Sequence, residues 1–423
     1  VLTIKGVKKV LKRKKGLENQ LKQEYNSVFV MQGKRRFMEL ENYIFLVSIA
    51  IILLTTKILG DVTNKVNMTQ VVGALLAGVL IGPSCFNWVN ETDFVNKTAE
   101  IGVIFLMFMA GLDTDVKQLK KNSVACVVIA SLGVLLPLIG GTLAYYCYFE
   151  QGATDYEEIL KAVFIGVVLT ATSVSITVEA LREMGKLDGK VGSAILGAAV
   201  IDDIMGIVVL TIVISLKDES VSLVGVLLKI LAYAALMALL GYLCQRWQTR
   251  IDHNLGRRRI TTYVVAACFI IAYISETYFG VADITGAYLL GLFLSRHEIK
   301  SEIARKLSVP SYLFFSPIFF ASVGLKVELS GITGSLIVFS LILLGVAILT
   351  KIIGCGLGAK LCRFTGKEAM QVGIGMISRG EVALIVAQKG YAIGLIDAAM
   401  FPPIVIVVIA TTIFTPIALK KVM

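Results

Sequence analysis

The sequence predicts an all-α polytopic membrane protein, and two features of its composition lead to that prediction. Of the 423 residues, 56% are hydrophobic and 17% are charged, whereas ordinary soluble domains carry about 25% charged residues. The apolar residues also come in runs of about 20, the length that a helix needs to cross a bilayer core about 30 Å thick. A water-soluble globule could not cover its surface with so little charge.

We predict about thirteen membrane-spanning helices from these apolar runs. In chain order they cover residues 43–59, 69–86, 98–113, 124–148, 158–180, 191–216, 221–243, 260–278, 281–296, 309–327, 332–360, 368–390 and 399–419. Turns and clusters of charge separate the runs. No stretch between them is long enough for a soluble domain.

Basic residues in the loops predict the orientation of the chain. Lys and Arg are retained on the cytoplasmic side of a membrane, and one alternate set of loops is rich in them, from Lys117 and Lys120 to Lys420 and Lys421. The other set is short or acidic, as in 150–158. We therefore expect a multi-pass protein of the plasma membrane with a cytoplasmic C-terminus.

Residues 1–37 differ from the rest because they hold eleven basic and two acidic side chains. An odd number of spans places the N-terminus outside, whereas a basic leader is expected in the cytoplasm. Two interpretations are open: the native chain starts at Met38, which we favour, or the leader is a disordered extension that does not influence topology. Most of the net charge of +11 belongs to this leader, so it does not indicate a nucleic-acid partner.

Cysteine and histidine predict neither a cofactor nor a structural metal cluster. The seven cysteines are scattered without CxxC spacing, and the two histidines, His253 and His297, lie in charged stretches between apolar runs. An HExxH motif and a Gly-rich phosphate loop are absent. These absences argue against metalloprotease chemistry and ATP-driven pumping.

Two adjacent acids, Asp202 and Asp203, lie near the centre of the sixth apolar run. An ionisable residue at this depth is costly and marks a functional site. Neighbours on a helix point about 100° apart, so one acid can face a cavity while the other meets a partner. That divergence, and the absence of a Gly-x-Gly-Asp signature, argue against an intramembrane aspartyl protease.

Lys351 is the predicted positive partner, because it follows about eighteen apolar or small residues in the eleventh run. An ion pair with an Asp of span six would offset much of the desolvation cost of both groups. The alternative is a lysine whose charged end reaches the membrane surface from near a helix end.

Two spans contain polar interruptions. Span five carries Thr170, Thr172 and Ser173, whose hydroxyls can satisfy freed backbone groups where a helix is broken. Span twelve carries a Gly-rich, charged interruption with Arg379 and Glu381, which we expect to pair with each other or with further polar groups; a purely structural role is the alternative. Each interrupted span is the middle of a three-span group, and the two groups have opposite orientation, which is typical of inverted repeats in secondary transporters.

These motifs resemble a known family. The sequence is similar, from Met38 to Met423, to cation:proton antiporters of the Kef/NapA-like branch, which have the NhaA-type fold. The resemblance rests on segments in spans two and three, the hydroxyl run of span five, the Asp pair, and two later motifs. In order, the segments are 70–83, 100–113, 170–173, 202–203, 319–324 and 379–381.

The resemblance implies an architecture of two bundles and a homodimer. The core bundle that carries the ion would comprise about 98–216 and 332–420, and the dimerisation and linker helices would comprise about 43–86 and 221–327. Two broken helices would cross at the membrane midplane. We expect no counterpart in this chain of the nucleotide-binding domain that follows the membrane part in Kef-type potassium systems.

The resemblance also implies roles for the site residues. Asp203 would bind either the cation or a proton, and Asp202 would be the second acid, paired with Lys351 when the site holds no sodium. Thr170, Thr172 and Ser173 would belong to the broken helix beside them. An Asp-Asp pair goes with electrogenic exchange in this family, and electroneutral members usually lack the first acid.

The predicted function is therefore secondary antiport of a monovalent cation, expected to be Na⁺ with Li⁺ and K⁺ open, against protons. Alternatives with the same fold are a K⁺/H⁺ antiporter, a cation channel or ion sensor, and a sodium-coupled symporter for organic anions.

Overall fold

The computed structural model describes residues 43–66, 68–149, 155–217, 223–246, 257–326 and 333–423, and the side chains of 257–259, 381 and 398 also lie outside the description. The predicted leader, residues 1–37, therefore falls outside it. Contacts divide the chain into two units, residues 1–51 and 52–423. Residues 43–51 are helical, and every site considered below belongs to the second unit.

The described residues form helices and no strand. The first eight are α1 Tyr43–Lys65, α2 Gln70–Ile81, α3 Asp93–Asp113, α4 Val116–Lys121, α5 Ser123–Phe149, α6 Tyr156–Thr170, α7 Val174–Glu183 and α8 Lys190–Lys217. The next five are α9 Leu223–Arg246, α10 Arg257–Ile274, α11 Asp283–Leu294, α12 Lys300–Pro310 and α13 Ser316–Leu325. The last four are α14 Gly334–Leu361, α15 Gly366–Gly375, α16 Glu381–Ala392 and α17 Phe401–Val422. Single π-helical turns, Ser275–Phe279 and Ser311–Phe315, follow α10 and α12.

The all-helical membrane class is confirmed. Within the described part of the chain, ten helical stretches are long and apolar enough to cross a membrane, and α2 and α11 are shorter apolar helices. The broken pair α15 and α16 covers the remaining predicted span, 368–390. Every predicted span thus coincides with helix, while the count of thirteen crossing segments stays a prediction.

Local sequence explains several helix starts. Thr365 and Glu368 form a capping box at α15, in which the Thr365 hydroxyl accepts from the Glu368 N–H and the Glu368 carboxylate accepts from the Thr365 N–H. Thr92 and Thr333 cap α3 and α14 in the same way with single hydroxyl acceptors.

Among the described residues of the second unit, two hydrophobic clusters position the site. One is built mainly from α5, α6, α8, α14, α16 and α17, with Phe164 and Phe339 fully buried in it. The other is built from α3, α9, α10, α11 and α12, with Phe108 fully buried. We call them the first and second clusters.

The packing of α3 differs from the grouping expected from the sequence, which placed 98–113 in the core bundle. Helix α3 contributes Phe105 and Phe108 to the second cluster and lies against α11 and α13. A Cβ on Gly111 would lie 2.1 Å from the Tyr288 carbonyl oxygen, and one on Gly291 would lie 2.1 Å from that of Phe108. Because α3 and α11 touch backbone to backbone, they form one rigid pair.

Candidate functional site

Asp202 and Lys351 form a buried ion pair between α8 and α14. The Lys351 Nζ lies 3.0 Å from Asp202 Oδ1, and the two side chains are 0% and 1% exposed. Full burial shows that the alternative, a lysine that reaches the membrane surface, is wrong. Helix α5 covers the pair at Gly133, where a Cβ would lie 2.6 Å from Cys355 Sγ and 3.6 Å from Lys351 Nζ, so only glycine fits there without displacing its neighbours.

Asp203 has a different environment from its neighbour. It is partly exposed and lines a cavity of about 50 Å³ together with Asp202, Thr170 and Ala171. Thr285, from α11, donates its hydroxyl to Asp203 Oδ2 at 3.4 Å. The roughly 100° between successive helix residues thus directs one acid to an internal partner and the other to a cavity.

The two interrupted spans are broken helices that meet at their breaks. Helix α6 ends at Thr170 and α7 begins at Val174, while α15 ends at Gly375 and α16 begins at Glu381. Both interruptions lie where the sequence predicted them.

Reciprocal hydrogen bonds join the breaks. The Ser173 N–H donates to the Ser378 carbonyl at 2.8 Å, and the Ser378 hydroxyl donates to the Ser173 carbonyl at 2.7 Å. The Thr177 hydroxyl donates to the Gly375 carbonyl at 2.7 Å and lies 3.0 Å from Ser378 Oγ. Four backbone groups at the crossing, the Ser173 N–H and the carbonyls of Ser173, Ser378 and Gly375, are therefore satisfied inside the protein, as a low-dielectric environment requires.

The three predicted hydroxyl residues of α6 and its break are all buried. Thr170 donates to the Val167 carbonyl at 2.7 Å and lines the small cavity. Thr172 donates to the Thr170 carbonyl at 3.5 Å, and Ser173 contributes to the crossing rather than to the cavity lining. The sequence did not single out Ser378 or Thr177 as site residues, although both stand in the polar runs that marked the breaks.

Arg379 stabilises the break between α15 and α16. Its Nη1 donates to the carbonyls of Met376 at 3.3 Å and Ile377 at 2.8 Å, just beyond the C-terminal end of α15, where the helix dipole favours a positive charge. The Arg379 N–H donates to Thr411 Oγ1, and its carbonyl accepts from the Thr412 hydroxyl. The Glu381 side chain lies outside the described part, so its pairing with Arg379 stays a prediction.

Three contacts define one face of the molecule, which we call the C-terminal face. Gln371 Nε2 donates to the Val422 carbonyl at 2.7 Å, and Lys190 Nζ donates to Glu368 Oε2 at 2.8 Å. The Gln70 N–H donates to Glu183 Oε2 at 2.8 Å. The start of α2, α8 and α15 and the end of α7 and α17 therefore lie on this face.

A larger cavity of about 550 Å³ lies toward the opposite, remote face, where it is lined by the start of α3 and α11, the end of α13 and part of α16. Its acidic lining residues are Glu91, Glu100, Glu276 and Asp283, with Lys326 beside them. Val382 lines both this cavity and the small one at Asp203. A cation that enters from the remote face would pass this acidic vestibule first.

A charged cluster occupies the C-terminal face. Arg182 of α7 donates to Asp113 at the end of α3 and lies 3.9 Å from Glu179, with its guanidinium 5.0 Å from the centroid of the Tyr312 ring. In the loop beside it, partial burial and the charge of Asp113 raise the pKa of the Asp188 carboxyl. We call Arg182, Asp113, Glu179 and Tyr312 the closure cluster. It joins α7, the second half of a broken helix, to α3 and to the π turn before α13.

Comparison with known proteins identifies the family. A model of the transmembrane sodium/hydrogen exchanger domain matches residues 47–423. The chain belongs to this family. It is 39% identical over 381 residues to the Na(+)/H(+)-K(+) antiporter GerN of Bacillus cereus, covering 89% of this chain and 95% of that protein. It is 37% identical to the Na(+)/H(+) antiporter of Enterococcus hirae, covering 89% and 97%.

A solved structure shows the same fold. The sodium proton antiporter MjNhaP1 from Methanocaldococcus jannaschii matches with a TM-score of 0.68 and 17% sequence identity, over 90% of this chain and all of that chain. The resemblance to cation:proton antiporters that the sequence predicted is confirmed, and with it a polytopic membrane protein of a secondary-transporter family.

Proposed function

We propose that the protein exchanges a monovalent cation, Na⁺ in the first place, for protons across the plasma membrane, with its C-terminus in the cytoplasm. The proposal rests on the different environments of the two acids of α8. Asp202 is paired with Lys351, while Asp203 faces a cavity beside two crossed broken helices. Such breaks place carbonyl and hydroxyl oxygens near a cation site in secondary transporters.

Competition at Asp203 would couple the two fluxes. An ionised Asp203 binds the cation, and a proton displaces the cation by neutralising the same carboxylate. Without sodium, Asp202 is paired with the Lys351 ammonium; when Na⁺ binds both carboxylates it replaces that ammonium, Lys351 releases its proton, and together with the proton from Asp203 two protons leave for one Na⁺. Because the site faces one side at a time, neither ion crosses without the other.

The lining of the small cavity favours a cation as cargo. It includes the carboxyl groups of Asp202 and Asp203, and none of its described lining residues is basic. An organic anion would find no positive group there, which argues against the symporter. K⁺ remains a candidate alongside Na⁺, because the name of the Bacillus cereus relative includes both cations.

Replacement of Asp203 tests the proposal. In everted vesicles that are acid inside, addition of Na⁺, K⁺ or Li⁺ to the wild-type protein should collapse the pH gradient and rank the ions. Asp203→Asn should abolish the collapse for all of them, because the amide cannot exchange a proton. Asp61→Asn, which removes an exposed acid paired with Lys57, is the control and should retain exchange. Retained exchange in Asp203→Asn would overturn the proposal, and a cation current without proton movement would indicate a channel.

A voltage experiment tests the stoichiometry. A potential contributes about 2.3 kcal/mol per net charge per 100 mV, so exchange of two protons for one Na⁺ should accelerate when proteoliposomes are made negative on the proton-receiving side with K⁺ and valinomycin. Exchange at the same rate with and without the imposed potential would contradict electrogenic transport.

We also propose that the protein is a homodimer, as the family resemblance implies. Native mass spectrometry in detergent measures this directly, with twice the chain mass as the expected species.

A further inference from the structure

A hydrogen bond links the cation carboxylate to the opposite helical cluster. Asp203 lies on α8, which packs into the first cluster through Leu210 and Val213. Thr285 lies in the first turn of α11, which packs into the second cluster. The Thr285 hydroxyl donates to Asp203 Oδ2 at 3.4 Å, and Thr285 is 2% exposed. Ile207, one turn after Asp203, packs against the second cluster, so the contact lies at the boundary between the two clusters, at the reacting group itself.

The two acids of α8 are held in different ways. Asp202 is neutralised by the Lys351 ammonium of α14. The Thr285 hydroxyl is uncharged, so it orients the Asp203 carboxylate through Oδ2 without adding a positive charge beside it. A fixed orientation lowers the ordering cost of binding.

Thr285 cannot follow Asp203 over a large displacement. Helix α11 is locked to α3 by the backbone contacts at Gly111 and Gly291, and a Cβ on Gly286, next to Thr285, would lie 2.3 Å from Ser275 Oγ. Packed helices of this kind move as one body. A movement of α8 relative to the α3–α11 pair that carries Asp203 toward the C-terminal face would therefore break the hydrogen bond.

We infer that Thr285 is a positioning residue that orients Asp203 for cation binding from the remote face and releases it when the site turns to the C-terminal face. This inference rests on the proposed exchange at Asp203. It predicts a different effect on cation binding from each face, because the contact is present in only one of the two access states.

Thr285→Val keeps the shape of the side chain and removes the donor. The KM for Na⁺ presented from the remote face should rise about tenfold, the effect of losing roughly 1.4 kcal/mol of a hydrogen bond to a charged group. The KM for Na⁺ presented from the C-terminal face should not rise, because that state lacks the contact. Thr285→Ser restores a hydroxyl and should return the remote-face KM to within about twofold of the wild type.

The measurement uses right-side-out and everted vesicles, whose orientation is established by carboxypeptidase digestion of the C-terminal residues. Na⁺-dependent pH changes give the KM for each face. Thr211→Val is the matched control, because it removes a buried hydroxyl of α8 that donates to Ile207 within the same helix at 2.7 Å; its two KM values should match those of the wild type.

Each outcome decides one of the two claims. A remote-face KM that is unchanged or lower in Thr285→Val, an equal rise on both faces, or failure of Thr285→Ser to rescue would overturn the role of Thr285. Absence of cation-dependent proton movement in the wild type and in Thr211→Val would instead overturn the proposed antiport. Equal amounts of inserted protein in all variants, measured by size-exclusion chromatography, are required for the comparison.

Discussion

At the scale of the residue, burial determines what the Asp202–Lys351 pair contributes. Both side chains are fully buried, and the free-energy cost of desolvating two such charges offsets most of the attraction between them. The pair therefore contributes little net stability relative to neutral side chains of the same volume. Removal of only one member of the pair lowers the stability strongly, because the other charge is then buried without a partner.

A double-mutant cycle tests this argument. Lys351→Met should lower the free energy of unfolding by about 3–5 kcal/mol, measured by denaturant unfolding in detergent. Adding Asp202→Asn to Lys351→Met should recover most of that loss, since no charge then remains. Lys57→Met, at an exposed pair, is the control and should cost at most about 1 kcal/mol. A double variant as unstable as the single one would contradict the account.

Sequence predicted some site residues and not others for a physical reason. Asp202, Asp203 and Lys351 stand out because charge inside an apolar run is costly wherever it occurs. Thr285 does not, because a threonine near a helix start is ordinary, and its importance comes from a carboxylate 82 positions away. Gly133 is equally inconspicuous until α5 is seen to cover the ion pair.

At the scale of the element, the broken helices depend on each other. Polar runs revealed where α6/α7 and α15/α16 break, because such runs interrupt apolar sequence. The grouping of α3 was not predictable in the same way: both clusters are apolar, so composition does not distinguish them, and the assignment depends on the close approach of Gly111 to α11.

The crossing makes a prediction for Ser378. Ser378→Ala removes the hydroxyl bond to the Ser173 carbonyl and the contact with Thr177, and it leaves a buried carbonyl with one acceptor site unfilled. We expect a loss of about 1–3 kcal/mol in the free energy of unfolding. Ser215→Ala, which removes an exposed hydroxyl bonded to Ile212, should be neutral within about 0.5 kcal/mol. Equal stability of the two variants would show that the crossing does not depend on this hydroxyl.

At the scale of the whole molecule, the two faces are asymmetric. The acidic cavity lies toward the remote face, while Arg182, Asp113 and Glu183 tie α7 to α3 and α2 on the C-terminal face. Glu183 also accepts from the first N–H groups of α2, where negative charge is favoured by the helix dipole. In the proposed exchange cycle, opening the C-terminal face would have to break these contacts, so they would favour the state in which Asp203 is reached from the remote face.

The closure cluster predicts the effect of Asp113→Asn. The amide keeps the shape but loses the charge that holds Arg182, and the balance between access states should move toward opening at the C-terminal face. Hydrogen–deuterium exchange should accelerate at the end of α3 and the end of α7, and remain unchanged at α16 near Gln388, which lines the remote cavity. Asp115→Asn is the control, because Asp115 caps α4 through the Lys117 N–H at 2.8 Å and lies two residues from Asp113. Faster exchange in both variants would mean that helix ends are fraying, whereas faster exchange in Asp113→Asn alone supports closure by the Arg182 contact.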